Sequence, residues 1–185
     1  AGHVRVYSWN GSAWTKLGGD IDGEAAGDQS GWSVSLSSDG TTLAVGAIYN
    51  DGTASNAGHV RVYSWNGSAW TKLGDDIDGE AAGDQSGTSV SLSSDGTTLA
   101  IGAIGNDGTA SNAGHVRVYK YNGSAWTKLG DDIDGEAASD LSGLSVSLSS
   151  DGTTLAIGAY GNDGTASDAG HVRVYSWNGS AWTKL

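Results

Sequence analysis

Apolar and polar positions alternate along this chain in short bursts, and the bursts recur. Residues 74–129 show the pattern once through. Ser89-Val90-Ser91-Leu92-Ser93 alternates with a period of two, which predicts a half-buried strand. Ser94-Asp95-Gly96 then reads as a tight turn. Thr98-Leu99-Ala100-Ile101-Gly102-Ala103 predicts a second strand, and its Ala and Gly predict close approach of a neighbouring sheet. A loop of Gly, Asn, Asp and Ser runs from about Gly105 to Asn112. His115-Val116-Arg117-Val118-Tyr119 predicts the third strand and Ala125-Trp126-Thr127-Lys128-Leu129 the fourth. Between them, Asn122-Gly123 predicts a two-residue hairpin with positive φ at both central residues. No segment carries the 3.6-residue period of a helix.

The pattern repeats in register. His3, His59, His115 and His171 stand 56 residues apart, each in a near-copy of GHVRVYSWNGSAWTKL. The chain therefore divides into a half repeat, 1–17, and three full repeats, 18–73, 74–129 and 130–185. A period of this length marks an array of supersecondary units. Four-stranded antiparallel meanders repeated in tandem predict an all-β chain of β-propeller-type blades with a 56-residue period. Alternating strand directions put the two tight turns of each repeat at one end. The Gly105–Asn112 loop and the acidic connection Gly74–Ser86 fall at the other. Repeats differ from one another near that second end, at Trp32/Thr88/Leu144, Gln29/Gln85/Leu141 and Ile48/Ile104/Tyr160, and Tyr49 is replaced by Gly105. Trp32, Tyr49, Leu144 and Tyr160 are accordingly the candidate binding face.

Composition narrows the function. Twenty-one acidic residues against nine basic ones give a net charge of −12. That balance argues against nucleic acid and anionic membrane surfaces as partners. No apolar run has the length of a membrane span. With no Cys, neither a disulfide nor a thiolate metal site exists. Thirty-one Gly without a G-X-Y period does not indicate collagen.

The residues Gly87-Thr88-Ser89-Val90-Ser91-Leu92, Asp95-Gly96, Leu99-Ala100-Ile101-Gly102-Ala103 and Gly114-His115-Val116-Arg117-Val118-Tyr119 together resemble an FG-GAP repeat. This is the blade unit of integrin-α-type propellers and of bacterial and algal surface proteins. The resemblance extends over all three full repeats and the leading half. It implies a β-propeller, an extracellular or cell-surface setting and an adhesive or scaffolding role. Two positions depart from the family: its phenylalanine is Ser86 here, and its Asp-rich calcium loop is shortened to Ser94-Asp95-Gly96.

Candidate chemistry is sparse. The acidic connection offers Asp76, Asp78, Glu80 and Asp84 as hard oxygen ligands, the donor type calcium takes, although the spacing is not that of an EF-hand. A solvated acidic loop, with Asp84 bonded to backbone near Gly87, is the alternative. No cofactor is required. Asn10, Asn66, Asn122 and Asn178 each begin an Asn-Gly-Ser sequon and could accept an N-glycan. Trp70, Trp126 and Trp182 suit packing between blades, or stacking on sugars. No G-x-S-x-G elbow, H-E-x-x-H pair or phosphate loop occurs. The sequence reads as a non-enzymatic structural or adhesive repeat protein, with a calcium-assisted glycan-binding propeller as the alternative. Three blades are too few to close a ring, so the expected partners are further repeats, in a longer array or a filament of copies. A glycan or surface protein is the other expected partner.

Overall fold

The computed structural model describes residues 1–185. Every regular element is a strand, eighteen in all. In the second repeat the four main strands are Ser86–Leu92, Thr98–Ala103, His115–Tyr121 and Trp126–Lys128, paired antiparallel in chain order. The first and third repeats build the same meander, and residues 1–17 form a hairpin of Tyr7–Trp9 with Trp14–Lys16. The propeller-type architecture predicted from the period is thus the one observed.

Two local readings need correction. The acidic connection is not loop throughout. Ile77–Asp78 docks back on the preceding sheet, with His59 opposite Asp78 and Val60 opposite Ile77; Ile133–Asp134 does the same on His115 and Val116. The fourth strand is therefore long but interrupted. Ile77 is buried, and this burial holds the second segment in place. The second correction concerns the Asn-Gly hairpin. Tyr121 pairs with Trp126, leaving a four-residue turn, and only Gly123 has positive φ, at 98°. Asn122 keeps an ordinary φ because its side chain makes the turn instead. Its Oδ1 accepts from the Ser124 N–H, the Ser124 hydroxyl and the Ala125 N–H.

The core lies between repeats rather than within them. One cluster joins Ala44, Val60 and Val62 of the first full repeat to Leu92, Leu99, Ile101 and Tyr119 of the second. The next joins Ala100, Val116 and Val118 to Leu155, Ile157 and Tyr175. Strand alternation explains this. Leu99 and Ile101 face the preceding sheet, while Ala100 faces the following one, so each joint mates large residues with small. Gly102 takes the extreme of this pattern: a Cβ there would run into the backbone carbonyl of Gly143 in the next repeat. Polar bonds tie the same joint. The Ser89 hydroxyl donates to the Gly143 carbonyl (2.7 Å), and the Trp182 indole N–H donates to the Leu129 carbonyl (3.0 Å). Near the tight turns, the Ser94 N–H donates to the Ser150 carbonyl (2.9 Å).

Candidate functional site

The long-loop end is shaped by buried polar bonds. Asp84, from the acidic connection, accepts from the Ala81 N–H (3.0 Å) and from Nδ2 of buried Asn106 (3.1 Å), which follows the second strand. Asp28 with Asn50 and Asp140 with Asn162 repeat the arrangement. Asp84 is thus a structural clasp between the two long connections, bonded to Ala81 and Asn106 rather than near Gly87. The other acidic residues scatter. Lys72 donates to Asp76 (2.8 Å), Arg117 pairs with Glu80 (3.3 Å), and Asp78 lies 3.8 Å from Nδ1 of His59. Asp76, Asp78, Glu80 and Asp84 therefore do not converge as one calcium cage, because each is engaged by a different element. At the shortened turn, the Asp95 carboxylate is occupied by the Ser93 hydroxyl and by Thr97.

The joints between repeats hold the more organised chemistry. His115 opens the third strand and is buried, with Nδ1 3.9 Å from Asp134 on the returning segment. Burial pushes His59 and His115 below the ordinary imidazole value, with Arg117 acting in the same direction at His115. Arg61 and Arg117 lie beneath them on the same strand, buried. Each donates to a backbone carbonyl of the returning segment before it, Asp22 (2.9 Å) and Asp78 (2.7 Å). Local patterning assigns these arginines no separate role; their regular place two residues after each histidine is the signal that marks them.

Two grooves run along these joints. One, of about 300 Å³, is lined by Asp20, Asp22, Tyr63 and Trp70. Its counterpart, of about 210 Å³, is lined by Asp76, Asp78, Tyr119 and Trp126. Trp70, Trp126 and Trp182 are half-buried with their indole N–H groups committed to the previous repeat, as inter-blade packing predicts.

The four candidate binding residues separate into two places. Leu144 and Tyr160 share a groove of about 370 Å³ with His171 and Val172, on the outer face of the last repeat. Trp32 and Tyr49 flank the Asp28–Gln29 turn of the first full repeat, where the Trp32 N–H donates to Gln29 and the Tyr49 N–H to Asp28. Asn10, Asn66, Asn122 and Asn178 are exposed at the hairpin tips, at the opposite end from the long loops.

The FG-GAP repeat family matches residues 21–63 and 77–119. These segments are FG-GAP repeats. Each begins at the returning segment and ends in the third strand, so the match spans the very joints described above. No curated protein matches the sequence. Among solved structures, a candidate 6-phosphogluconolactonase from Bacteroides uniformis superposes with a TM-score of 0.66 at 12% identity. It covers 99% of this chain and 47% of its own. A second, from Bacteroides fragilis, gives 0.64 at 13%, covering 97% and 46%. Sqt1 from Saccharomyces cerevisiae gives 0.55 at 14%, covering 86% and 35%. At such identities the likeness is one of fold. The chain spans about half the length of the first two structures.

Proposed function

We propose that this FG-GAP array is a non-enzymatic structural or adhesive protein of the cell surface or extracellular space, continued by further repeats of its own kind. One observation carries the reading. Val60 and Val116 are fully buried by the repeat that follows each, whereas Val172, at the same place in the last repeat, is 66% exposed. Leu144 and Tyr160 are exposed beside it. At the other end Trp9 and Trp14 are exposed, although their counterparts Trp65 and Trp70 pack in a joint. Both end faces thus present surfaces that the interior repeats cover with a neighbour. Near-identical joints let copies associate head to tail without a new contact type.

Light scattering on the 185-residue chain and on Val172→Glu tests this. The parent should form concentration-dependent oligomers, and the variant should not, while its circular dichroism and dilute-solution melting stay those of the parent. A parent that remains monomeric across its soluble range would refute self-association. Labelling of intact producing cells by an antibody to the array would support the surface setting, and labelling only after permeabilisation would oppose it.

The two aromatic and acidic grooves favour glycan binding as a second reading. Tyr63 with Trp70, and Tyr119 with Trp126, supply rings beside carboxylates that can accept from sugar hydroxyls. A glycan array without hits, with and without calcium, would remove it.

A further inference from the structure

The array reading leaves unexplained a constellation that occurs at both complete joints. At one, Glu24, His59 and Asp76 bring a carboxylate oxygen, a ring nitrogen and a second carboxylate oxygen within 4.8 Å of one another. At the other, Glu80, His115 and Asp132 do the same. The glutamate comes from the connection entering a blade, the histidine from that blade's third strand, and the aspartate from the connection leaving it. His115 is 1% exposed, and its Nε2 is buried with no hydrogen-bond partner. In the third repeat, Nε2 of His171 lies 3.9 Å from Glu136, the glutamate equivalent to Glu80. An unpaired imidazole nitrogen inside a protein is costly unless something binds it.

We propose that each complete joint is a binding site for a divalent transition metal of the zinc type, held by one imidazole nitrogen and two carboxylates. Imidazole with carboxylate suits such ions, and a buried nitrogen donor disfavours calcium. Metal–ligand bonds of about 2.0–2.2 Å place tetrahedral ligands about 3.3–3.6 Å apart, so the three atoms need close by only about 1 Å. Glu80 is exposed and Asp132 half-buried, so both can move. Asp134, 3.9 Å from Nδ1 of His115, stands where an outer carboxylate orients a ligating histidine. Two cations contend for the same carboxylates: Arg117 on Glu80 (3.3 Å) and Lys128 on Asp132 (2.8 Å). Arg117 retains its backbone carbonyl when Glu80 turns, and Lys128, 40% exposed, can swing into solvent. A bound ion would tie each blade to the connections on both sides of it, stapling the array. The terminal positions are incomplete. His3 and Asp20 have no glutamate, and Arg5 turns to Asp20 instead; Glu136 and His171 have no aspartate.

The site stands independently of the proposed function. Calorimetric titration of the chelator-treated chain with Zn²⁺ tests it, with Co²⁺ absorption reporting nitrogen and oxygen ligation. The parent should take up two ions and melt at higher temperature with zinc but not with calcium. Glu24→Gln with Glu80→Gln, both at exposed positions, should weaken uptake by at least about tenfold with the fold intact. Glu136→Gln should leave uptake unchanged, and Lys128→Gln should tighten the second site severalfold by removing the contending cation. No zinc uptake by the parent, or uptake that persists in the double glutamine variant, would overturn the proposal.

Discussion

Gly102→Ala tests whether the joints hold this protein together. The new methyl would collide with the carbonyl of Gly143 and lie 2.7 Å from the Ser89 hydroxyl oxygen. Neither can yield cheaply. The Gly143 carbonyl accepts from Ser89, and the Gly143 N–H donates to Gly158, so moving this backbone parts two blades. Overpacking of this kind costs about 1–3 kcal/mol. Losing the Ser89–Gly143 bond adds about 1 kcal/mol. Replacing glycine within a strand returns about 0.5–1 kcal/mol of backbone entropy. The net expectation is a loss of about 2–3 kcal/mol. Gly158→Ala supplies the internal control. It occupies the same place in the repeat, but its methyl would meet only Ser145, whose side chain is exposed and free to turn. Its expected effect is within about 0.5 kcal/mol of zero, as for most substitutions away from a packed feature. Urea unfolding at 25 °C, followed by tryptophan fluorescence and far-ultraviolet circular dichroism at dilution, measures both. The midpoint should fall for Gly102→Ala and hold for Gly158→Ala, with the slope unchanged. Equal losses in the two variants would refute the reasoning, because the strand would then be intolerant for its own sake.

Three further outcomes are expected. Gly123→Val should lose about 1–2 kcal/mol in the same assay, all of it backbone strain, since nothing lies near the new side chain; an unchanged midpoint would contradict the φ of 98°. Leu141 sits at a φ of 54°, a conformation unfavourable for its side chain, so Leu141→Gly should raise the melting temperature by the equivalent of about 1 kcal/mol. The Ser93 hydroxyl and Thr97 hold the Asp95 carboxyl down at about 2. A carboxyl depressed in the folded state contributes stability above its unfolded value of 3.8 and loses it as the pH falls toward 2. Acid unfolding should therefore steepen through that window and be shallower in Asp95→Asn, and an ordinary Asp95 value by NMR titration would contradict it.

By itself the sequence determined the all-β class, the 56-residue period and the four strands of each repeat. These depend on alternation and on turn residues that lie close in the chain, as at Val90 and Leu92 or Asp95-Gly96. The small residues Ala100 and Gly102 also announced a close neighbour, because only steric need explains them in an otherwise branched strand. What the sequence left open depends on contacts between residues far apart along it. The return of Ile77–Asp78 to the sheet required His59 and Val60 as partners, and no local pattern separates two strand residues from an acidic loop. The Asn122 turn is ambiguous in sequence because an Asn-Gly pair supports either a mirror-image turn or a side-chain-built one, and the strand register decides between them. Asp76 and Glu80 lie four residues apart, so their spacing alone groups them as one ligand set. Tertiary structure sends them to neighbouring blades, each to a different histidine, because a strand connection that crosses from one sheet to the next must deliver its two ends to two different joints.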